Sequence, residues 1–188
     1  MGNREERGQR AVQNQIRAAE ARLKLDGHIM LLKIISGGQT GADRAALDAA
    51  LEAGFPIGGS CPAGRKAEDG PISLDYGLEE VNGGYRQRTK RNILDADGTL
   101  IFYESYLSGG TELTVEFCIR LKKPYKLIDI DTVDAETASN LLIAFTNAFD
   151  IRVLNVAGPR ASGCQGIYVY VKETVHQALA RMEVSGDL

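Results

Sequence analysis

The sequence lacks the features that mark membrane, disulfide-stabilised and metal-binding proteins. It contains no tryptophan, two histidines and three cysteines in 188 residues. Cys61, Cys118 and Cys164 are odd in number and widely spaced, which fits neither a disulfide framework nor a zinc site. No apolar run reaches the roughly 18 residues of a membrane span, and the amino-terminal stretch is too polar for a signal peptide. These absences predict a cytoplasmic protein with no metal site and no membrane partner.

A basic surplus is also absent. The formal net charge is −3, whereas proteins that bind a nucleic-acid polymer usually carry an excess of lysine and arginine. Hydrophobic residues make up 44% of the chain, which is enough for a core, and 188 residues fit one compact domain. The partner is therefore expected to be a small molecule rather than a nucleic acid.

Residues 1–29 differ from the rest of the chain. Val12, Ile16, Ala19 and Leu23 recur at helical spacing in a charged segment, and Asp26 followed by glycine indicates a helix end. We predict a helical extension over residues 1–29 and a ligand-binding domain over residues 30–188. The extension is either a solvated, partly disordered leader or a helix that docks on a partner subunit.

From residue 31 onward, strand-like and helix-like segments alternate. Apolar runs predict strands at 31–36, 55–59, 99–103, 125–130 and 152–156. Apolar residues three and four apart predict helices after residue 44, over 111–122 and 135–149, and from 168 to 182. This alternation predicts an α/β fold with a mainly parallel sheet. Residues 60–84, rich in glycine and weakly periodic, are predicted to be a long functional or disordered connection.

Three glycine-containing turns each follow a predicted strand. The first spans residues 36–44, the second residues 108–112 and the third residues 157–163. Glycine allows a sharp turn that exposes backbone N–H groups, and a helix beginning there adds its positive dipole end. Because the carboxyl ends of parallel strands meet at one edge of the sheet, the turns are expected to face one crevice that binds a phosphorylated small molecule.

Arginines accompany these turns in an otherwise acidic chain. Arginine forks match phosphate oxygens, so we predict that several of them contribute to the site, whereas Lys90 and Arg91 are expected to be solvated. The predicted ligand-binding residues are Gly37, Gly38, Gln39, Thr40, Gly41, Asp43, Arg44, Arg65, Arg88, Ser108, Gly109, Gly110, Thr111, Gly158 and Arg160.

Two further groups leave alternatives open. Glu68 and Asp69 are either an acid–base pair, magnesium ligands or simply solvated carboxylates. Cys61 is either a thiolate ligand for a metal or, in the favoured interpretation, a buried structural thiol.

Six spaced motifs resemble the molybdenum carrier family, a circularly permuted branch of the SLOG superfamily. That superfamily also includes cytokinin-activating phosphoribohydrolases. The resemblance covers about residues 31–181 in order. The motifs lie at residues 36–48, 61–70, 85–92, 97–101, 109–111 and 157–160.

The resemblance implies a Rossmann-like, three-layer fold with helices on both faces of the sheet. It also implies a phosphorylated pterin as ligand, the molybdenum cofactor (molybdopterin), with a nucleotide as the alternative, and a homo-oligomer. Relatives that resemble phosphoribohydrolases carry a catalytic glutamate three residues after the threonine of the second glycine turn, where this chain has Thr114. This departure favours a carrier over an enzyme or sensor that acts on a nucleotide-derived ligand.

Overall fold

The computed structural model describes residues 31–185. The predicted helical extension over residues 1–29 lies outside the described residues. Within residues 31–185, no helix combines the length and the hydropathy that crossing a bilayer requires.

The described chain consists of nine strands, five α-helices and two short 3₁₀ turns. The strands are β1 (Lys33–Ile35), β2 (Ile57–Gly58), β3 (Ser60–Pro62), β4 (Lys66–Ala67), β5 (Gly70–Pro71), β6 (Glu79–Val81), β7 (Gly98–Tyr103), β8 (Tyr125–Asp129) and β9 (Val153–Ala157). The helices are α1 (Ala42–Glu52), α2 (Tyr85–Asp95), α3 (Gly109–Leu121), α4 (Ala135–Ala148) and α5 (Ile167–Ser185), and the 3₁₀ turns span Leu74–Tyr76 and Ala161–Gly163.

Five strands form the central sheet in the order β2-β1-β9-β7-β8, and every neighbouring pair is parallel. From β1 the chain adds β2 on one side of the sheet, and from β7 it adds β8 on the other side. The last strand, β9, then inserts between β1 and β7. The strand order therefore reverses around β9, and a crevice forms outside the carboxyl ends of strands at such a point. The predicted α/β fold with a parallel sheet is confirmed.

Helices cover both faces of this sheet, because alternate side chains of each strand point to opposite sides. Leu100 and Phe102 of β7 belong to the main buried cluster, which also contains side chains of α1, α4 and α5. Ile101, between them, belongs to a second cluster with Ile93 of α2 and Phe117 of α3. The alanines that α1 turns toward this core are fully buried, so the helix can lie close to the sheet and to α5. The three-layer, Rossmann-like arrangement is therefore confirmed.

The segment between β2 and α2 is more ordered than the sequence predicts. Strands β3 and β6 pair in parallel, β4 and β5 form a short antiparallel pair, and Leu47, Cys61, Ile72 and Leu78 make a separate apolar cluster beneath them. Helix α2 then begins at Tyr85 within a strongly basic stretch. The sequence does not predict this helix, since only Asn92 and Ile93 of its residues are buried and no apolar stripe marks it.

Candidate functional site

A cavity of about 540 Å³ lies at the carboxyl edge of the sheet, where the chain leaves β1, β7 and β9. A volume of this size suits a small cofactor or mononucleotide. The three predicted glycine turns all reach this edge. Its lining residues are Gln39, Asp43, Tyr85, Arg88, Thr89, Tyr103, Glu104, Ser105, Tyr106, Ser108, Gly109, Gly110, Thr111, Leu113, Thr114, Ala157, Gly158, Pro159, Arg160, Gly163 and Cys164.

The first glycine turn is filled by atoms of the protein itself. Gly41 has a φ of 78°, and a Cβ there would lie 2.4 Å from the Pro159 carbonyl oxygen. That oxygen also accepts a hydrogen bond from the Ala42 N–H at 3.1 Å, so one of the first amides of α1 is already occupied. A Cβ on Gly38 would meet Leu78 at 2.6 Å, and one on Gly37 would overlap the guanidinium of Arg88. These glycines allow close packing of the protein's own chain, and Gly37, Gly38 and Gly41 do not line the cavity.

The second glycine turn is open. A Cβ built on Gly109 or Gly110 meets nothing within 4 Å, although Gly109 has a φ of 54°. Among the hydrogen bonds of residues 31–185, none is donated by the amides of Gly109 or Gly110, whereas the next two amides both donate to the Ser108 carbonyl. Helix α3 therefore presents two unpaired N–H groups and its positive dipole end to the cavity.

Thr111 strengthens this end of the cavity. Its residue surface is 6% exposed, and no hydrogen bond within the described chain involves its hydroxyl. A threonine hydroxyl that lines a cavity without a partner in residues 31–185 can serve a ligand as donor and acceptor. The neighbouring Thr114 differs, since its hydroxyl donates to the Gly110 carbonyl oxygen at 2.8 Å.

A buried ion pair lies between the first turn and α2. Arg88 Nη1 lies 3.0 Å from Asp43 Oδ2, and the two side chains are 12% and 5% exposed. Burial raises the pKa of Asp43 above its ordinary value, while the positive charge of Arg88 opposes that rise. The Nε of Arg88 is buried without a hydrogen-bond partner in the described part of the chain. Arg88 thus places an incompletely satisfied cation on the cavity wall.

Arg44 is engaged elsewhere. Its guanidinium donates twice to the Gly38 carbonyl oxygen, at 3.1 and 3.0 Å, and twice to the Asp69 carboxylate, at 3.0 and 3.2 Å. The hydrogen bonds from Arg44 lower the pKa of Asp69. The structure does not bring Arg44 to the cavity. Instead, Arg44 and Asp69 fasten the segment between β4 and β5 to the first glycine turn.

Arg65 has a comparable role within the same segment. Its guanidinium donates to the carbonyl oxygens of Ile72, Leu78 and Ser73, at 2.7, 2.9 and 2.6 Å. These three acceptors lie on the chain that leads from β5 to β6, so Arg65 organises that segment. Like Arg44, it lies outside the cavity lining.

Glu68 joins the first and third loops. Its carboxylate accepts hydrogen bonds from the Thr40 hydroxyl and from both the N–H and the hydroxyl of Ser162, the last at 2.6 Å. Its own N–H donates to the Gln39 side chain at 2.9 Å. These hydrogen bonds, first of all those from Ser162 and Thr40, lower the pKa of Glu68. Glu68 and Asp69 are therefore neither simply solvated nor directed at the cavity.

The third loop contributes Gly158 and Arg160 to the lining. A Cβ on Gly158 would lie 2.8 Å from that of Ala42, so this glycine also serves close packing. The Arg160 side chain is 63% exposed, and its Nε lies 3.6 Å from Glu68. Arg160 is thus a second cation at the rim, held loosely by Glu68.

The predicted site residues divide into two sets. Those that line the cavity are Gln39, Asp43, Arg88, Ser108, Gly109, Gly110, Thr111, Gly158 and Arg160. Those that surround it without lining it are Gly37, Gly38, Thr40, Gly41, Arg44 and Arg65.

Sequence reasoning missed the wall formed by Tyr103, Glu104 and Tyr106, as well as Tyr85 and Cys164. Tyr103 ends β7 and Glu104 and Tyr106 follow it, so their position at the carboxyl end of a parallel strand could have identified them. Cys164 is 3% exposed, and burial first and Glu104 second raise the pKa of its thiol to about 11. Cys61 and Cys118 are fully buried and outside the cavity. No group of three or more metal-ligating side chains occurs among residues 31–185.

Comparison with known proteins places these features in a family. Residues 34–179 match the model of the circularly permutated YpsA SLOG family. A solved crystal structure, of a protein from Syntrophus aciditrophicus SB named "Putative molybdenum carrier protein", is 45% identical in sequence and superimposes with a TM-score of 0.76. The match covers 79% of the present chain and 96% of that protein. Among curated proteins, none matches the chain significantly.

Proposed function

Because the chain belongs to the circularly permutated YpsA SLOG family, we propose that it is a carrier that holds the molybdenum cofactor in the cavity through its phosphate group. The observation that carries this proposal is the second glycine turn, whose Gly109 and Gly110 amides have no acceptor within the described part of the chain and border open space. The name of the Syntrophus aciditrophicus protein suggests the cargo, and the chemistry of this turn suggests a phosphorylated one.

In this proposal the two amides and the dipole of α3 receive the phosphate oxygens. Thr111 donates its unpaired hydroxyl to the same group, and Ser108 borders it. Arg88 and Arg160 supply positive charge from two other sides of the cavity. Charge-assisted hydrogen bonds to phosphate are roughly twice as strong as neutral ones, so these contacts dominate the affinity.

The remaining predicted residues support the site. Gln39, Asp43 and Gly158 shape the wall, and Asp43 holds Arg88 in place. The other residues of the first turn, with Arg44 and Arg65, brace the segment between β2 and α2 against the cavity rim. Their removal acts on the ligand through the shape of the rim.

We propose a carrier rather than an enzyme because of Thr114. At this position the relatives that resemble phosphoribohydrolases have a catalytic glutamate. In this chain the Thr114 hydroxyl donates a hydrogen bond to the Gly110 carbonyl oxygen instead. This hydroxyl donates to a carbonyl one turn earlier in its own helix and offers no carboxylate to a glycosidic bond.

Native mass spectrometry of the protein purified from molybdenum-replete cells tests the proposal. We expect a bound species with the mass of the pterin cofactor, and we expect added cofactor to be recovered unchanged after incubation. The variant Gly110→Val should lose the bound species, since its side chain occupies the open space at the turn. Gly84→Val is the matched control, because Gly84 has an ordinary φ of −92° and lies outside the lining. Co-purification of adenosine monophosphate alone, or chemical conversion of the added cofactor, would contradict the carrier.

We also propose that the protein is at least a dimer. Exposed apolar side chains occur on both helical layers, Ile119 on one and Phe149 and Val169 on the other, and a second subunit would cover those of one layer. Light scattering at micromolar concentration should give at least twice the monomer mass, and a homogeneous monomer would contradict this expectation.

A further inference from the structure

The wall of the cavity formed by the chain just before the second glycine turn differs in chemistry from that turn. It consists of Tyr103, Glu104 and Tyr106, which leave the carboxyl end of β7, together with the buried Cys164. The turn is held in place, since the Tyr106 N–H donates to the Glu104 carbonyl oxygen at 2.6 Å and the Ser105 hydroxyl donates to Asp131. Ser105 has a φ of 57°, a conformation that a residue other than glycine rarely adopts without such support.

Among residues 31–185, Glu104 is the carboxylate of this cavity that has no cationic partner. The lining contains two acidic side chains, Asp43 and Glu104, and two cations, Arg88 and Arg160. Arg88 is paired with Asp43, and Arg160 lies beside Glu68. Within residues 31–185, no lysine or arginine lies within ion-pair distance of Glu104. The Cys164 thiol lies against this carboxylate, whose two oxygens offer about four acceptor sites, so Glu104 can still accept two hydrogen bonds from a ligand.

Tyr106 offers a flat surface next to this carboxylate. It is 75% exposed, and its ring makes no aromatic contact within the described chain. An exposed aromatic ring on a cavity wall is suited to stacking against a planar ligand ring.

We propose that Glu104 selects the ring of the ligand, by accepting two hydrogen bonds from a 2-amino-4-oxopyrimidine edge while the ring stacks on Tyr106. This inference rests on the proposed function, since it assigns the ring of the phosphorylated ligand to the wall that precedes the turn proposed to hold its phosphate. Pterins and guanine share this edge, which presents a ring N–H and an exocyclic amino group side by side. An ionised carboxylate has two acceptor oxygens and no donor, so it matches both groups.

The same chemistry disfavours adenine. Its corresponding edge presents one amino group and one ring nitrogen with a lone pair, and that lone pair would face a carboxylate oxygen. Hypoxanthine keeps the ring N–H but lacks the amino group, so it satisfies only one of the two oxygens. The affinities are therefore expected to fall in the order guanine, hypoxanthine, adenine.

Calorimetric titration of the full-length protein with three mononucleotides tests this assignment. We expect GMP to bind at least about tenfold more tightly than AMP, with IMP between them, as for one well-formed pair of base contacts. In the variant Glu104→Gln the preference should vanish or invert, because a glutamine amide offers one acceptor and one donor, which matches adenine. Glu112→Gln is the matched control, since it removes an equal charge from an exposed residue outside the lining and should keep the wild-type ratio.

Titration with ribose 5-phosphate separates the two hypotheses, because this probe has the phosphate and no base. Binding of ribose 5-phosphate together with equal affinities for GMP and AMP would overturn the role of Glu104 and leave the phosphate site intact. A preference for GMP that survives in Glu104→Gln would also overturn it. If neither ribose 5-phosphate nor any of the nucleotides binds, both the phosphate site and the Glu104 assignment are wrong.

Discussion

The first and second glycine turns have similar sequences but serve different purposes. In the first, Gly41 allows the Pro159 carbonyl to approach, and the Ala42 amide is satisfied by that same oxygen. In the second, Gly109 and Gly110 border open space and their amides are unpaired within the described structure. In the first turn, the absence of a Cβ on glycine lets the third loop pack closely. In the second turn, the same absence leaves open space that a ligand can occupy.

The arginines around the cavity differ in a similar way. The guanidinium of Arg44 donates its hydrogen bonds to Gly38 and Asp69, whereas Arg88 and Arg160 line the cavity. A glycine turn with an arginine after a strand identifies an edge of the sheet. Only the contacts across the fold reveal which turn remains available for an anion.

The largest expected effect is on stability and concerns the first turn. Gly41→Ala should lower the free energy of unfolding by about 3 kcal/mol or more, since the new Cβ meets the Pro159 carbonyl and the backbone has a φ of 78°. Gly54→Ala is the control, because Gly54 has a φ of 65° with nothing within 4 Å of its Cβ. Urea denaturation should show a loss of only about 1 kcal/mol there. Equal losses would mean that backbone conformation, and not the close approach of the third loop, determines the need for glycine.

The second turn should give the opposite result. Gly110→Val is expected to weaken the binding of ribose 5-phosphate about 100-fold, the effect of losing one or two charge-assisted hydrogen bonds, and to change the unfolding free energy by less than about 1 kcal/mol. Titration and denaturation of Gly110→Val and Gly84→Val measure both quantities. A variant that binds normally would show that the anion lies elsewhere in the cavity.

Arg44 provides a smaller contrast. Arg44→Ala should lower the unfolding free energy by about 1–2 kcal/mol, because it removes the hydrogen bonds to Gly38 and the half-exposed Asp69. Lys90→Ala, at an exposed position on α2, should change it by less than about 0.5 kcal/mol. Neither variant should abolish the binding of ribose 5-phosphate. If Arg44→Ala lowers the affinity for ribose 5-phosphate without lowering the unfolding free energy, Arg44 contacts the ligand.

The smallest effect is a pH dependence at the loop junction. Hydrogen bonds from Ser162 and Thr40 lower the pKa of Glu68, so the stability it contributes is present above the usual carboxyl pKa and is lost as the pH falls through the lowered one. Urea denaturation at several pH values should therefore show wild type and Glu68→Gln differing most near neutral pH and converging in acid. A difference that is constant with pH would mean that Glu68 acts without its charge.

Much of this architecture could be predicted because apolar periodicity reports burial. The strand at 99–103 and the helices over 135–149 and 168–182 were predicted within a few residues of their observed bounds, since each turns apolar side chains toward the core. Helix α2 was not predicted, because it buries little more than Ile93 and the amide of Asn92.

The site was predictable to a similar degree. The convergence of three glycine turns follows from parallel strands, which have their carboxyl ends at one edge. The role of Arg44 could not be predicted, since its partner Asp69 lies 25 positions away on a segment with weak periodicity. Glu104 was missed because a single carboxylate after a strand carries no motif, although its position at the end of β7 marks that edge.

The junction at Glu68 has a consequence for the thermodynamics and kinetics of exchange. One carboxylate ties the first glycine turn, the segment between β4 and β5 and the 3₁₀ turn after β9, so these parts of the rim are already ordered before a ligand arrives. Ligand binding therefore loses little conformational entropy on the side of the cavity that Glu68 orders. The rate of ligand capture is then not limited by the ordering of these loops. Gly109 and Gly110 have no such junction within residues 31–185, so a ligand is expected to enter and leave past them.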